Sequence, residues 1–280
     1  MLEFTVMAQI DYLLIGHITR DLTPEGDVVG GTAAYSGRIG QALGLKTAVL
    51  TSCQPDYPGL QELADLDAVV VPAEATTTFE NIYTPDGRQQ TIYSVANRIT
   101  NQDVPEAWKK AKIVHLAPVA DEVDPEIMRQ FPDSLIGMTP QGWMRQWDEN
   151  GRISPKEWPG AEKYFGLADI VIVSQEDLLS TDMLFQYWAW SNILVLTGGI
   201  KGCIVFYGDK AQYVPTIPVA EVDATGAGDT FATAFMFWYD KTGDPVESAR
   251  FANTMASHSV TRSGIENVIK KLKKKLKEWN

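Results

Sequence analysis

Short, uninterrupted apolar blocks recur along this chain, each of strand length and each followed by enough residues for a crossover helix. They occupy residues 12–15, 47–51, 68–71, 113–116, 134–138, 170–173 and 193–196. A strand with one wet face alternates apolar and polar side chains, whereas a continuous block belongs to a strand covered on both faces. Parallel sheets acquire such cover when helices cross between neighbouring strands. The helix-like stretch 33–45 separates the first two blocks. The pattern predicts an α/β fold with a doubly wound, mostly parallel sheet flanked by helices. No low-complexity linker interrupts it, and 280 residues suit a single domain.

Residues 76–100 break the rhythm. Two β-prone runs flank Pro85-Asp86-Gly87, a strong hairpin signal. A hairpin added to an α/β chain forms either a lid layer or a decoration. In the tail, Ile265, Val268, Ile269, Leu272, Leu276 and Trp279 recur at helical spacing, with lysines between Lys270 and Lys277. This predicts an amphipathic helix docked on its own domain with a solvated basic face, rather than a membrane or partner helix.

The net charge of -12, from 24 Lys+Arg and 36 Asp+Glu, argues against nucleic acid or an anionic membrane as partner. An anionic ligand must then be held locally, by amides, a helix terminus or a metal. No apolar run reaches the roughly 18 residues of a membrane span. Cys53 and Cys203 form no CxxC pair and the first residues lack a signal-peptide pattern, so the expected compartment is the cytoplasm. His17, His115 and His258 are too dispersed to suggest a metal site, and His258 reads as a helix residue.

The most informative segment is Asp223-Ala224-Thr225-Gly226-Ala227-Gly228-Asp229-Thr230-Phe231, followed by an apolar stretch that reads as a buried helix. Glycines and small residues let successive N–H groups converge near the positive end of that helix. Such a cradle stabilises charge on transferring phosphoryl oxygens, and Asp229 beside it is placed to take a proton from a hydroxyl. The plainer alternative makes Asp223 a helix cap and Asp229 a satisfied polar residue. Phe231 stands where a dinucleotide-binding fingerprint needs its third glycine, and no Walker-type motif occurs.

Asp-x-Thr-Gly-Ala-Gly-Asp-Thr-Phe in the last quarter of such a chain resembles the signature of the ribokinase-like (PfkB) carbohydrate kinase family, and the likeness extends over essentially the whole chain. The resemblance implies a single ribokinase-like domain over 1–280 with a small β-hairpin lid. It makes Asp229 the catalytic base, with the amides of Gly226, Ala227 and Gly228 as the anion hole. Gly16-His17-Ile18-Thr19-Arg20-Asp21 matches the family's first-strand glycine and the aspartate that grips substrate hydroxyls. Gly30-Gly31 matches its sugar-facing glycine pair. Leu196-Thr197-Gly198-Gly199-Ile200-Lys201-Gly202 resembles the nucleotide-side turn, and Asn253 falls in the adenine-side helix. Ser174, Thr197, Gly199, Gly202, Thr225 and Asn253 are thereby expected on the nucleotide side.

The chain departs from the family pattern in places. Tyr35 stands where the family has an asparagine, and either stacks on a sugar or base or fills space. The interval from Asp21 to Gly30 is short for the lid strands that relatives place there, so the lid is expected mainly from the 76–100 hairpin. The Asn-x-x-Glu motif is Ser174-Gln175-Glu176-Asp177 here, which leaves Asp177 to meet Mg2+ through water. Arg145 either clamps an anion on the substrate or pairs with Asp148 or Glu149 on the surface. The resemblance implies ATP-dependent phosphorylation of a hydroxyl on a sugar, polyol or nucleoside, with Mg2+ and a homodimer formed through the lid. Alternatives are a vitamin-type hydroxymethyl kinase and a non-catalytic sensor on the same fold.

Overall fold

A computed structural model describes residues 9–24, 26–84 and 87–279. The chain opens with β1 (Tyr12–Ile15), β2 (Thr19–Thr23), β3 (Gly26–Gly30), α1 (Gly31–Ala42), β4 (Thr47–Cys53), β5 (Asp67–Pro72), β6 (Thr77–Thr84) and β7 (Gly87–Ser94). Next come β8 (Ile113–Leu116), β9 (Leu135–Met138), β10 (Arg145–Trp147), β11 (Ile153–Pro155), α2 (Glu162–Phe165), β12 (Ile170–Ser174) and α3 (Thr181–Trp190). The last part holds β13 (Ile193–Thr197), β14 (Cys203–Tyr207), β15 (Lys210–Val214), α4 (Ala227–Thr242), α5 (Pro245–Ser259) and α6 (Ile265–Trp279).

Each apolar block becomes a strand of a nine-stranded sheet ordered β15-β14-β13-β12-β9-β8-β1-β4-β5. The sheet is parallel from β5 to β13, and β14 and β15 extend it antiparallel. One face carries a core of Tyr12, Leu14, Ile39, Val49 and Phe235 against α1, α4, α5 and α6. The other carries Leu13, Ile15, Val114, Phe131 and Phe165 with α2 and α3. Two-sided burial is why the inner strands show no alternation, whereas β5 at the edge is only partly covered.

Chain order along the sheet reverses between β1, which leads through α1 to β4, and β8 on its other flank. The loops leaving these two strands therefore part at their carboxyl ends, where ligands of doubly wound sheets sit. Gly16 lets the loops meet, since a Cβ there would lie 2.4 Å from the Ala117 carbonyl oxygen. Thr32 on α1 closes the same corner by donating to that oxygen at 2.7 Å.

Over this corner lies a four-stranded sheet, β3-β2-β6-β7. The expected hairpin is present as β6 and β7; Pro85 and Asp86 lie outside the described residues. The lid was expected mainly from this hairpin, and the short interval before Gly30 supplies two further strands. β2 and β3 fit because each needs only five residues and pairs directly from Thr19↔Gly30 to Thr23↔Gly26. The lid is thus two hairpins side by side, joined by parallel pairing of β2 with β6.

The lid is also fastened at its far edge. The Ile92 N–H of β7 donates to the Gly151 carbonyl at 2.8 Å, and Thr91 bridges Arg152. Phe79, Ile92, Val119, Ala120 and Ile153 form a small apolar cluster beneath the lid. Gly151 has φ +76, and a Cβ on it would sit 2.1 Å from the Ile92 oxygen. Gly151→Ala is therefore expected to cost about 1–2 kcal/mol from the left-handed backbone alone, plus the overlap. Chemical denaturation measures that loss, and hydrogen exchange should show reduced protection at the Ile92 amide.

The tail helix matches its expectation. Val268, Ile269 and Leu272 are buried, Trp279 packs edge-on against Trp238 and Phe251, and Lys270, Lys273, Lys274 and Lys277 face solvent. Arg38 of α1 reaches both Glu62 and Glu266, pinning α6 to α1.

Candidate active site

Gly226 caps α4 in a left-handed conformation, φ +74, from which the apolar face Phe231 to Phe237 runs into the core. The Tyr35 ring packs against this turn so tightly that a Cβ on Gly226 would lie 2.1 Å from Cδ1. The Ala227 N–H closes the turn onto the Ala224 carbonyl at 3.1 Å, which removes it from the expected anion hole. The amides of Gly226 and Gly228 have no such backbone acceptor among the described residues. A Cβ on Gly228 would meet nothing within 4 Å, so space opens above it. Two outward amides at a helix start suit an anion.

Asp229 stands half-buried in the first turn of α4. Burial pushes its pKa up to about 6, against a downward pull from the Ser36 hydroxyl, which donates to Oδ1 at 3.0 Å, and from its own backbone. A carboxylate so placed is a base poised near neutrality. Burial also raises the Tyr35 hydroxyl, and so do the negative charges of Asp223, Asp229, Asp21 and Glu62. Tyr35 thus stands between the turn carrying Asp229 and the lid strand carrying Asp21.

Asp21 lies on β2, where Thr19 Oγ1 donates to its Oδ1 at 2.9 Å. Its carboxylate rests against Gly30, whose Cβ would sit 2.5 Å from Oδ2. Gly31 has φ +83 and no room for a side chain, since a Cβ would meet the His17 oxygen at 2.4 Å. The glycine pair is therefore demanded by the protein's own folding. The structure brings Asp21, Gly30, Gly31, Tyr35, Gly226, Gly228 and Asp229 to one corner.

Around that corner are residues the motifs did not mark. His17 is buried, with Nδ1 bonded to Thr77 Oγ1 at 2.7 Å and Nε2 to the Asn97 oxygen at 3.0 Å, tying the β1 loop to both ends of the lid hairpin. Burial lowers its pKa. Glu122 accepts from the amides of His17, Val119 and Ala120, holding the β1 and β8 loops together. Ser36 is the third. Nothing in local composition marks these side chains: His17 and Ser36 find partners far away in sequence, and Glu122 joins its near neighbours Val119 and Ala120 to the distant His17 amide.

Across the carboxyl ends of the sheet, Asp177 is raised by burial and opposed by the Arg145 charge and by Gln141, whose Nε2 donates to both carboxylate oxygens at 3.2 and 3.4 Å. Arg145 is buried, with Nη1 also reaching the Val119 oxygen, so the surface pairing with Asp148 or Glu149 is set aside. Asp148 instead accepts from Asn150 and Arg152 in its own turn. Ser174 Oγ caps the turn at Glu176, and Thr197 Oγ1 donates to the Val173 oxygen. Gly199 and Gly202 have positive φ, and a Cβ on Gly202 would lie 2.3 Å from the Val214 oxygen. The Thr225 amide donates to Asp223. Asn253 is buried, with Nδ2 donating to the Val214 and Pro215 oxygens, so its amide fastens β15 to α5 and is not available as a nucleotide donor.

Among the described residues no three His, Cys, Asp or Glu side chains cluster to hold a metal, and no helix is long and apolar enough to cross a membrane. Both cysteines are buried and free.

A cytidine kinase from Thermococcus kodakarensis is 24% identical over 260 residues, covering 85% of this chain and 91% of the relative. A nucleoside kinase from Methanothermobacter thermautotrophicus is 27% identical, covering 86% and 81%. Among solved structures, a pyrophosphate-dependent kinase of the ribokinase family, complexed with a pyrophosphate analogue and myo-inositol, superposes with TM-score 0.78 at 23% identity, over 90% of this chain and 96% of that one. Thermotoga maritima ribokinase gives 0.74 at 16% identity, over 96% and 99%. Residues 60–272 match the pfkB family carbohydrate kinase profile. This chain belongs to the pfkB family of carbohydrate kinases and is a ribokinase-like phosphotransferase that acts on an alcohol group.

Proposed function

We propose that this kinase transfers the γ-phosphoryl group of ATP to a hydroxyl of a nucleoside, with sugars and polyols as the related acceptors. The observation that carries the proposal is the placement of the Asp229 carboxyl beside the Gly226 and Gly228 amides, with Asp21 and the Gly30-Gly31 pair across from it. The nucleoside preference is supported by the named cytidine and nucleoside kinases, which match over 85% and 86% of the chain. The aromatic Tyr35 offers a surface for a base or sugar in that same corner.

In the proposed mechanism Asp21 accepts hydrogen bonds from acceptor hydroxyls and orients them under the lid. Asp229 takes the proton of the attacking hydroxyl as it reaches the γ-phosphorus in line. The Gly226 and Gly228 amides offset charge on the phosphoryl oxygens, so positioning and electrostatics supply most of the acceleration. The lid excludes water from the corner and suppresses wasteful hydrolysis of the donor. Arg145, buried beside Asp177, is assigned to the donor phosphates. Asp177, held by Gln141 and facing the Arg145 charge, would meet through water a magnesium ion carried in on the phosphates, since Mg2+ keeps several of its waters. Bound there, the ion would neutralise phosphate charge.

The test is a magnesium-dependent phosphorylation assay over cytidine, adenosine, ribose, fructose and myo-inositol. ATP and pyrophosphate serve as alternative donors. Transfer to a nucleoside from ATP is the expected outcome. Turnover with pyrophosphate alone would overturn the donor, and phosphorylation of ribose, fructose or myo-inositol but of neither nucleoside would overturn the acceptor. Binding without turnover would make the protein a sensor.

A further inference from the structure

Ser36 sits one turn into α1, fully buried in a stretch that otherwise presents Ala33, Ala34, Gly37 and Ile39 to the core. A hydroxyl in such a place costs stability unless it finds a partner. Its partner is Asp229 Oδ1, 3.0 Å away and 193 residues along the chain. Among the described residues Ser36 is the side chain that donates to this carboxylate, whose other hydrogen bond is with its own backbone.

We infer that Ser36 is a positioning residue: its hydroxyl fixes the Asp229 carboxylate through Oδ1 so that Oδ2 faces the acceptor hydroxyl. This rests on the reading of Asp229 as the base. The elements around the pair are built to hold it. Tyr12 of β1 lies beneath, its hydroxyl bonded to His115 Nδ1 at 2.7 Å and to Thr233 Oγ1 of α4 at 3.2 Å. His115 Nε2 continues to Thr139 Oγ1 at 3.1 Å. This polar chain ties β1, β8 and β9 to α4 through buried groups, and burial holds His115 neutral with its pKa lowered to about 3. The titratable groups that face Asp229 are Tyr12 on β1 and Tyr35 on α1, with Asp223 and Asp21 near Tyr35. None is a cation, so the Ser36 bond is the side-chain contact that favours the ionised base. A free carboxylate would sample rotamers in which neither oxygen is aimed.

The test compares Ser36→Ala with Ser36→Thr, which keeps the hydroxyl, each alone and in an Asp229→Asn background. Ser36→Ala is expected to lower kcat about tenfold, the value of one such hydrogen bond, with little change in donor KM. The acid limb of its kcat/KM profile should move to higher pH, because the charged form has lost a donor. Ser36→Thr should restore both, and in the Asp229→Asn background Ser36→Ala should add little. An unmoved acid limb with unchanged kcat, or effects that multiply independently, would overturn the positioning role. Near-normal turnover of Asp229→Asn alone would instead overturn the base assignment on which it rests.

Discussion

Asp229→Asn is expected to lower kcat by about 10²–10⁴-fold, the usual worth of a positioned general base, while donor affinity stays close to that of the parent. The asymmetry follows from geometry. Asparagine keeps the shape of the side chain and an oxygen for the Ser36 hydroxyl, so the α4 turn and its amides are retained. What it lacks is the capacity to hold a proton. In the parent, burial sets the carboxyl's titration at about 6, so kcat/KM should fall as pH drops through that value. The variant's residual rate should lack that limb. Single-turnover kinetics with isothermal titration of the donor separates the two effects, and a variant within threefold of the parent would remove Asp229 from the chemistry.

The same substitution should stabilise the fold at neutral pH. Because the folded-state value lies above the ordinary carboxylate value, the folded protein keeps a proton that the unfolded chain has lost between about pH 4 and 6. Stability therefore falls as pH rises through that window, and above it the buried charge is a standing cost. The neutral amide avoids the cost, so Asp229→Asn is expected to gain about 1–3 kcal/mol at pH 7.5. The gain should fade between pH 6 and 4, where the parent carboxyl is protonated too. Thermal melts across this range check the sign, and a variant destabilised throughout would mean that the carboxylate is structurally required. A base held at such a cost is the ordinary signature of a functional group.

The main sheet was legible in the chain because its strands are dry on both faces: residues 170–173, 193–196 and 113–116 all appear as strands with boundaries moved by no more than about a residue. The glycine-rich turn was legible because its geometry is local. β2 was not, because Thr-Arg-Asp-Leu-Thr lies in a thin layer with a wet face and carries no apolar run. β10 and β11, three residues each, exist only through pairing with each other and with the lid. Asn253 shows the limit at a site: the position fits a nucleotide-side helix, yet its amide is consumed by two carbonyls from a strand end 38 and 39 residues away. Ser36 and Glu122 are the converse, ordinary in composition and decisive in contact. What sequence hides here is long-range pairing of polar side chains, since neither partner alters the apolar period that reveals strands and helices.

Gly226→Ala should be nearly as damaging to turnover as loss of the base, and for a different reason. At φ +74 an alanine costs about 1–2 kcal/mol in backbone energy, and its Cβ would overlap the Tyr35 ring at 2.1 Å from Cδ1. The turn must open or tilt, moving the Gly226 and Gly228 amides away from the developing charge. Loss of one such donor typically costs about 10²–10³ in kcat. The two contributions can be separated with Tyr35→Ala. In the double variant the steric overlap is gone and the backbone cost remains, so adding Gly226→Ala to Tyr35→Ala should lower the melting temperature much less than adding it to the parent. Turnover should recover only in part, because the turn stays displaced and the acceptor has lost an aromatic wall. A Gly226→Ala variant with turnover within threefold of the parent would show that these amides do not meet the transferring group. An equal loss in the parent and in the Tyr35→Ala background would show that the ring is not what forces glycine at this position.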